Sequence, residues 1–354
     1  MSEWFEQLDA AAQAQQQPTH RLVAGDGMLL VTERGARVLA CQLPGVSDNL
    51  FFHHPTMLDP AHTDKPFGGD RLWIAPEVGW FWESLEQARE DPGSQKFPPQ
   101  IDPGQYTTDS ASPVHAQLSN RLKLTDVRDG KSIELAVSRQ IRAINAPYGL
   151  PSDLKCASFA ITHILLARGG DDGAIACAWD ILQLPPDGTL ICPTTADPNQ
   201  VSEPTSYYEP FGERHVIRDR NAVRFLADSR RMIKMGLKAE HTTGRMAYYR
   251  QLGQGLSTLV LRIFAPQPGE PYPDLPRSAD KDQRTGGDAL QAYNHGEPGP
   301  GGFGEMEYHD PAVIVGQGPT TRHGTSVTHV MAGPDDSIRA FGQRLLGVPI
   351  NPIE

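Results

Sequence analysis

Alternation of apolar and polar residues runs through most of this chain, and helical periodicity is confined to its two ends. Residues 3–17, an Ala- and Gln-rich stretch behind Ser2, and Asp335–Leu346, which is apolar at helical spacing, are the predicted helices. Alternation with a period of two is typical of strands that bury one face. It predicts strands at 28–32, 36–43, 72–75, 117–127, 132–144, 158–167, 174–184, 189–193, 222–227, 232–238, 246–252, 257–265, 303–308, 312–316 and 326–331.

These elements predict an all-β protein with short terminal helices. The chain shows no repeat of fixed period, which disfavours a propeller. Two turn-rich segments, 83–115 and 266–302, interrupt the strands, and loops of that length are commonly lids or binding loops. Because strand density is similar on both sides of each segment, we expect residues 1–20 to be a helical extension and residues 21–354 to be one domain.

Composition supports this interpretation and narrows the classes of partner. The chain contains 34 Gly and 31 Pro, which favours many turns and therefore many short strands. A net charge of −11 disfavours nucleic acid or an anionic membrane as the main partner. No run approaches the roughly 18 apolar residues of a membrane span, and the first residues lack the pattern of a signal peptide. We therefore expect a cytoplasmic protein without membrane contact.

Cysteine spacing gives no indication of a metal centre. The four cysteines, Cys41, Cys156, Cys177 and Cys192, lack the CxxC spacing of a zinc site and the density of a disulfide framework. Each is expected to be a small core residue.

Several charged side chains share a strand face with apolar residues. Arg139 falls on the apolar face of the strand predicted at 132–144, and His163 falls among Phe159, Ile161 and Leu165. Buried groups of this kind need a partner or a wet cleft. Arg139 is therefore half of an ion pair or part of a cleft, and His163 is a hydrogen-bonded core histidine or a catalyst.

The polar residues of the strand predicted at 303–308 can also be interpreted in two ways. The face that carries Phe303 also carries Glu305, Glu307 and His309. Two acids on one face are either the solvated side of an edge strand or groups that line a site.

Five segments, in order over residues 20–333, resemble the galactose mutarotase-like (aldose 1-epimerase-like) superfamily, in particular a branch with a GGxRxWxAPE segment. That segment reads GGDRLWIAPE here. The resemblance implies a β-supersandwich of large antiparallel sheets packed face to face, with a sugar cleft on a concave sheet face. The five segments are 68–77, 161–169, 178–189, 234–237 and 304–323.

The resemblance also implies a reaction. In mutarotases a carboxylate takes the proton of the anomeric hydroxyl while a histidine protonates the ring oxygen, with neither metal nor organic cofactor. Carried over to this sequence, His163 is the acid, Glu305 or Glu307 is the base, and Arg71 holds sugar hydroxyls or the ring oxygen. Which glutamate is the base stays open.

Other side chains are candidates for substrate binding. The cationic side chains of Lys234, Arg245 and Arg139 would favour an anionic sugar, such as a uronate or a sugar phosphate, if they met Arg71 in one cleft. Their alternative role is that of ordinary surface or paired charges. Three aromatic side chains and one acid of the same region are further candidates, namely Trp73, Trp80, Trp82 and Glu77.

The sequence therefore predicts a carbohydrate-active enzyme that interconverts anomers or epimers of a small sugar through a His acid and a Glu base. Two alternatives remain open. One is a lyase or hydrolase that acts on a uronate-type sugar, and the other is a carbohydrate-binding protein without catalytic activity.

Overall fold

The computed structural model describes residues 2–15, 17–58, 68–195, 203–208, 210–212, 214–280 and 282–353. Helices begin and end the chain, as the sequence predicts, and none in this described part is long and apolar enough to cross a membrane. The helices are α1 (Glu3–Ala14), α2 (Glu77–Trp80), α3 (Leu85–Glu90) and α4 (Asp335–Leu346), with 3-10 turns at Arg34–Ala36, Pro55–Leu58 and Pro92–Ser94.

Strands make up the body of the protein. They are β1 (Thr19–Ala24), β2 (Gly27–Thr32), β3 (Arg37–Gln42), β4 (Asp70–Ala75), β5 (Thr107–Ser112), β6 (His115–Thr125), β7 (Ser132–Ala143), β8 (Lys155–Gly170), β9 (Ile175–Leu184), β10 (Gly188–Pro193), β11 (Thr205–Ser206), β12 (Val216–Arg218), β13 (Ala222–Ala227), β14 (Ile233–Leu237), β15 (Arg245–Gly253), β16 (Leu256–Phe264), β17 (Leu290–Asn294), β18 (Gly304–His309), β19 (Val313–Ile314) and β20 (Thr321–Pro334).

Two ten-stranded sheets account for these strands. The first sheet has the order β1-β2-β3-β4-β9-β18-β17-β14-β11, and β19 also pairs with β9. The second sheet has the order β12-β13-β10-β15-β16-β20-β8-β7-β6-β5. Every strand pairing is antiparallel within the described chain. The predicted all-β fold, with two large antiparallel sheets and short helices, is confirmed.

The main hydrophobic core joins the two sheets. Leu72 and Leu182 of the first sheet belong to the same buried cluster as Val137 and Ile161 of the second. The terminal helices cover other surfaces. Helix α4 packs on the second sheet, whereas α1 packs on β2 and β3. The space between the sheets is therefore filled, and a ligand site has to lie elsewhere.

A network of four buried charges also lies between the sheets. Asp70 and Asp180 come from the first sheet, and Arg139 and Arg262 come from the second. Each arginine contacts both carboxylates, with 2.8 Å between Arg139 Nη2 and Asp180 Oδ2. All four side chains are fully buried. Buried charges persist only when they are paired, so the structure confirms the ion-pair interpretation of Arg139.

His163 is attached to the same network. Its Nε2 lies 3.0 Å from Asp180 Oδ2, and its Nδ1 lies 3.5 Å from Asp310 Oδ2. Burial lowers the pKa of His163, but the contacts with Asp180 and Asp310 outweigh burial and raise this pKa overall. For Asp180, burial raises the pKa, but Arg262 and Arg139 hold it well below its ordinary value.

Five strands lie outside the sequence-based prediction: β1, β5, β11, β12 and β17. Two of them fall inside the segments expected to be loops. β17 has only five residues, and β5 is a largely exposed edge strand without an apolar pattern. β17 pairs with β18, and β5 pairs with β6. These two strands depend on hydrogen bonds to a neighbouring strand, which the apolar pattern of their own residues does not reveal.

The buried network provides a stability prediction. Arg262→Met removes one charge at similar side-chain volume and leaves two buried carboxylates with one arginine. We expect the free energy of unfolding to fall by about 3–5 kcal/mol, the cost of breaking a buried ion pair, in urea denaturation. Arg168→Met, at an exposed position of β8, is the control and should change this quantity by less than about 0.5 kcal/mol. Equal stability of the two variants would contradict the role given to the network.

Candidate active site on the first sheet

One face of the first sheet points away from the second sheet and collects the polar candidates. In β4, Arg71 alternates with Asp70, which points between the sheets, so Arg71 points the other way. Cross-strand register extends the same face from β4 through β9, β18 and β17 to β14. We call it the site face. It carries Arg71, Trp73, Trp179, Gln183, Lys234, Gln291, Tyr293, Glu305, Glu307 and His309.

An ion pair between Glu307 and Lys234 occupies this face. Lys234 Nζ lies 3.0 Å from Glu307 Oε2, and Trp179 Nε1 donates to the same oxygen at 2.8 Å. The ammonium also lies over the Trp179 ring, 4.2 Å from its centroid. Glu307 Oε1 is buried and has no hydrogen-bond partner among the described residues. Such an oxygen normally has a partner, which makes Glu307 Oε1 a candidate for a ligand contact.

The protonation states of this pair are interdependent. Burial raises the pKa of Glu307 from 4.5 to about 7; Lys234 opposes this shift and Glu305 adds to it. Burial lowers the pKa of Lys234, but Glu307 and Glu77 outweigh burial and raise it above its ordinary value. Lys234 is therefore an ammonium at neutral pH. Glu307 can both accept and release a proton there, as a general base or acid requires.

A second ion pair lies beside the first. Arg71 Nη2 donates to Glu305 Oε1 at 3.0 Å, and Gln183 Nε2 donates to the same oxygen at 2.9 Å. The guanidinium lies 4.0 Å from the ring centroid of Trp73. Arg71 Nε and Nη1 are buried without acceptors in the described part of the chain. These N–H groups can donate to sugar oxygens.

Aromatic side chains form one wall of the site. Trp73 is buried and contacts Phe81 and Phe97, with ring centroids 4.9 and 5.2 Å away. Phe97 is 39% exposed, so it presents an apolar surface to a ligand. Sequence reasoning missed Phe97 because it lies in a segment without periodicity.

Two of the tryptophans that the sequence analysis names as substrate-binding candidates have other surroundings. Trp80 and Trp82 are buried, with 7% and 4% exposure. Trp82 Nε1 donates to the Pro92 carbonyl at 3.3 Å, and the guanidinium of Arg277 lies over the Trp82 ring. Packing covers both rings and a cation also covers Trp82, so neither ring is exposed to a ligand as a substrate-binding side chain would be.

His163, Arg139 and Arg245 do not join the cluster. His163 and Arg139 lie between the sheets, whereas Glu305 and Glu307 lie on the site face of the first sheet. Arg245 is exposed at the start of β15 in the second sheet. The predicted acid/base pair of His163 with a glutamate is therefore not assembled, because a sheet separates the two groups.

Glu77 and His309 complete the polar surroundings. Burial raises the pKa of Glu77, whose Oε1 accepts a hydrogen bond from Gln95 Nε2 at 2.9 Å. His309 stacks on Trp179, with ring centroids 5.3 Å apart, and burial lowers its pKa to about 3. Its Nε2 has no hydrogen-bond partner among the described residues. The alternation of the last strands already placed His309 on the face of the two glutamates.

The structure thus brings together Arg71, Trp73, Glu77, Lys234, Glu305 and Glu307 of the sequence-predicted residues. No group of His, Cys, Asp or Glu side chains in the described part of the chain is arranged to hold a metal ion. What the site offers is a pair of carboxylate–cation contacts with free donors and acceptors, suited to proton transfer on a polyhydroxylated molecule.

Solved structures share this architecture. A candidate aldose 1-epimerase from Escherichia coli K12 is similar over 89% of this chain and 99% of its own, with a TM-score of 0.52 and 11% identity. A galactose mutarotase-like protein from Lactobacillus casei ATCC 334 is similar over 88% of this chain and 100% of its own, with a TM-score of 0.51 and 8% identity. The fold is that of the galactose mutarotase-like proteins.

Within that fold, the chain belongs to the family of unknown function DUF6786, which it matches over residues 49–354. No curated protein matches it. Fold does not determine activity, so function has to be inferred from the residues of the site.

The geometry predicts an unusual titration. The carbon-13 shift of the Glu307 side-chain carboxyl, assigned by its loss in Glu307→Gln, should titrate at about pH 7. In Lys234→Met this pKa should rise further, because the ammonium that opposes protonation is gone. A midpoint at or below an ordinary glutamate value of about 4.3 would contradict the electrostatics described here.

The raised pKa of Glu307 also makes the stability of the protein depend on pH. Because the folded pKa of Glu307 lies above its usual 4.5, this group contributes stability fully below that pH and loses it as the pH rises to about 7. Over that window, the unfolding free energy of the wild type should fall relative to that of Glu307→Gln.

Proposed function

We propose that this protein is a carbohydrate isomerase that interconverts the anomers of a sugar through the Glu307–Lys234 pair. The observation that carries the proposal is the buried Glu307 Oε1, unpartnered among the described residues, beside an ammonium 3.0 Å from the other oxygen. One protein of this fold is named as a candidate aldose 1-epimerase. In this proposal Glu307 is the base, and Lys234 takes the acid role that the family resemblance implied for His163.

The reaction needs one proton removed and one supplied. Glu307 takes the proton of the anomeric hydroxyl, and the electrons of that O–H bond form the carbonyl of the open-chain sugar. The bond from the anomeric carbon to the ring oxygen breaks, and the ring oxygen receives a proton from Lys234. Rotation about the bond to the next carbon, followed by the reverse steps, gives the other anomer.

Lys234 is suited to the acid role because of its dependence on Glu307. Its buried ammonium is held above the ordinary pKa chiefly by carboxylates, of which Glu307 contributes most. When Glu307 becomes protonated, its share of that support is lost, and the pKa of Lys234 falls toward the value that burial favours. On ring closure by the reverse steps, Lys234 takes its proton back from the hydroxyl that becomes the ring oxygen and Glu307 gives its proton to the carbonyl oxygen, so the pair recovers its starting state without a proton from solvent.

The neighbouring groups position the sugar. Arg71, with two N–H groups free of partners in the described chain, donates to hydroxyl oxygens, and Glu305 accepts from a hydroxyl. Phe97 offers the exposed ring on which a pyranose packs. This arrangement favours catalysis over binding alone, because a binding protein has no need of a carboxyl poised near neutral pH.

Removal of either acid–base group should slow anomer exchange. For Glu307→Gln and Lys234→Met we expect a loss of about 10²- to 10⁴-fold in rate. Exchange is measured by magnetisation transfer between anomeric protons with glucose, galactose, glucuronate and glucose 6-phosphate as substrates. The matched controls are Glu134→Gln and Lys123→Met, an exposed Glu–Lys pair of the second sheet 3.2 Å apart, which should retain the wild-type rate. Sugar binding without exchange in the wild type would overturn catalysis and leave a binding protein.

His163 provides the test between the two possible acids. With Lys234 as the acid, folded His163→Gln should keep the rate within a few-fold of the wild type, because His163 lies across the sheet from Glu307. A loss as large as that of Lys234→Met, in a variant with an unchanged circular dichroism spectrum, would return the acid role to His163.

A further inference from the structure

A large cavity adjoins the site face. It measures about 820 Å³ and is lined by Tyr207, Tyr208, Met232, Arg89 and Arg277, among others. This volume lies within the roughly 300–1,000 Å³ of pockets that hold whole organic ligands. The cavity is therefore larger than a single anion or a few waters need.

Two tyrosines connect the cavity to the proposed reaction centre. The ring of Tyr207 lies 5.4 Å from Lys234 Nζ. The ring of Tyr208 meets that of Tyr293 edge-on at 6.1 Å. Tyr293 in turn lies between Lys234 and Glu305 in the register of the first sheet. The cavity and the Glu307–Lys234 pair are thus neighbours, with these rings between them.

Arg277 is the notable side chain of this cavity. Its guanidinium lies over the rings of Tyr208 and Trp82, 4.4 and 5.6 Å from their centroids. Among the described residues, no carboxylate forms an ion pair with it and none accepts a hydrogen bond from its side chain. Stacking on aromatic rings fixes the plane of a guanidinium and leaves its N–H edge available for an anion.

The backbone around Arg277 is held in place. Arg89 donates to the carbonyls of Arg277 and Ala279, at 2.8 and 2.6 Å. A few residues earlier, Asp274 is fully buried and accepts hydrogen bonds from the Glu77 N–H at 2.7 Å and Gln291 Nε2 at 2.9 Å. The guanidinium is therefore positioned before any ligand arrives, which lowers the entropic cost of binding.

The charges of the reaction centre make Arg277 the better place for an anionic group. On the site face, Arg71 and Lys234 are already paired with Glu305 and Glu307. An anion there would face carboxylates at short range. Two acids also line the cavity, Asp280 and Asp282, but both are exposed to solvent and neither pairs with Arg277.

We infer that this cavity is a subsite for a second sugar unit that carries an anionic group bound by Arg277. The inference rests on the proposed function, with the reducing unit at the Glu307–Lys234 pair. The substrate class is therefore an acidic oligosaccharide with a free reducing end. A carboxylate and a phosphate ester share the chemistry that Arg277 recognises.

The test compares disaccharides that differ only in charge. Cellobiose is the neutral probe, and its two acidic counterparts carry either a carboxylate or a phosphate at carbon 6 of the non-reducing unit. We expect wild-type protein to bind at least one acidic probe 10-fold or more tightly than cellobiose in calorimetric titrations. In Arg277→Gln this preference for the acidic probe over cellobiose should shrink to less than about 2-fold, since the charge-assisted contact is lost. Arg277→Lys should retain part of the preference.

Arg168→Gln, at an exposed position of the second sheet, is the control and should keep the full preference. Equal binding of neutral and acidic probes to the wild type, or an acid preference that survives in Arg277→Gln, would overturn the subsite and leave the proposed isomerase intact. Binding of none of the three disaccharides would likewise overturn the subsite, whereas the proposed function is overturned only if anomer exchange of the four monosaccharides is also absent. Comparison of the two acidic probes tells a carboxylate ligand from a phosphate ligand.

Discussion

Two arginines and two aspartates that meet between the sheets determine how the rest of the protein is arranged. Arg139 and Arg262 of one sheet each contact Asp70 and Asp180 of the other, and none of these charges reaches solvent. Uncompensated charges in such a place are costly, so they impose a single register on β4 and β9. Consecutive residues of a strand point to opposite faces. The register that places an aspartate inside therefore places its neighbour, Arg71 or Trp179, on the site face.

The candidate site lies on the opposite face of the same strands. Its charged groups are paired, but some of their donor and acceptor atoms have no partner within the described chain. Glu307 and Lys234 form the contact to which we assign proton transfer, and Glu305 and Arg71 form the contact to which we assign the binding of hydroxyls. Between the sheets every charge is matched by rigid partners, which suits stability. On the site face, Glu307 Oε1 and two N–H groups of Arg71 lack partners within the described chain, which suits binding and proton transfer. One face of the first sheet thus carries charges that stabilise the fold, and its other face carries the charges that we propose for binding and proton transfer.

The sequence predicted the fold and much of the site because both depend on a local pattern. Alternation identified the long strands and placed Glu305 and Glu307 on one face, and the GGDRLWIAPE segment drew attention to Arg71. Alternation also predicted that His163 lies among core residues, as it does. Its catalytic role was implied only by the resemblance to the mutarotase-like superfamily. The alternation of residues within a strand does not show which of the strand's two faces packs against the other sheet. Arg277 and Phe97 lie in irregular segments, and their roles arise only from tertiary contacts.

The most direct test of the central claim is a crystal structure of the protein soaked with reducing sugars. The account predicts a pyranose on the site face, with its anomeric hydroxyl within hydrogen-bond distance of Glu307 Oε1 and its ring oxygen near Lys234 Nζ. Arg71 and Phe97 should contact the same sugar. A sugar bound away from this face, with Glu307 and Lys234 still in contact only with each other and with Trp179, would contradict the account.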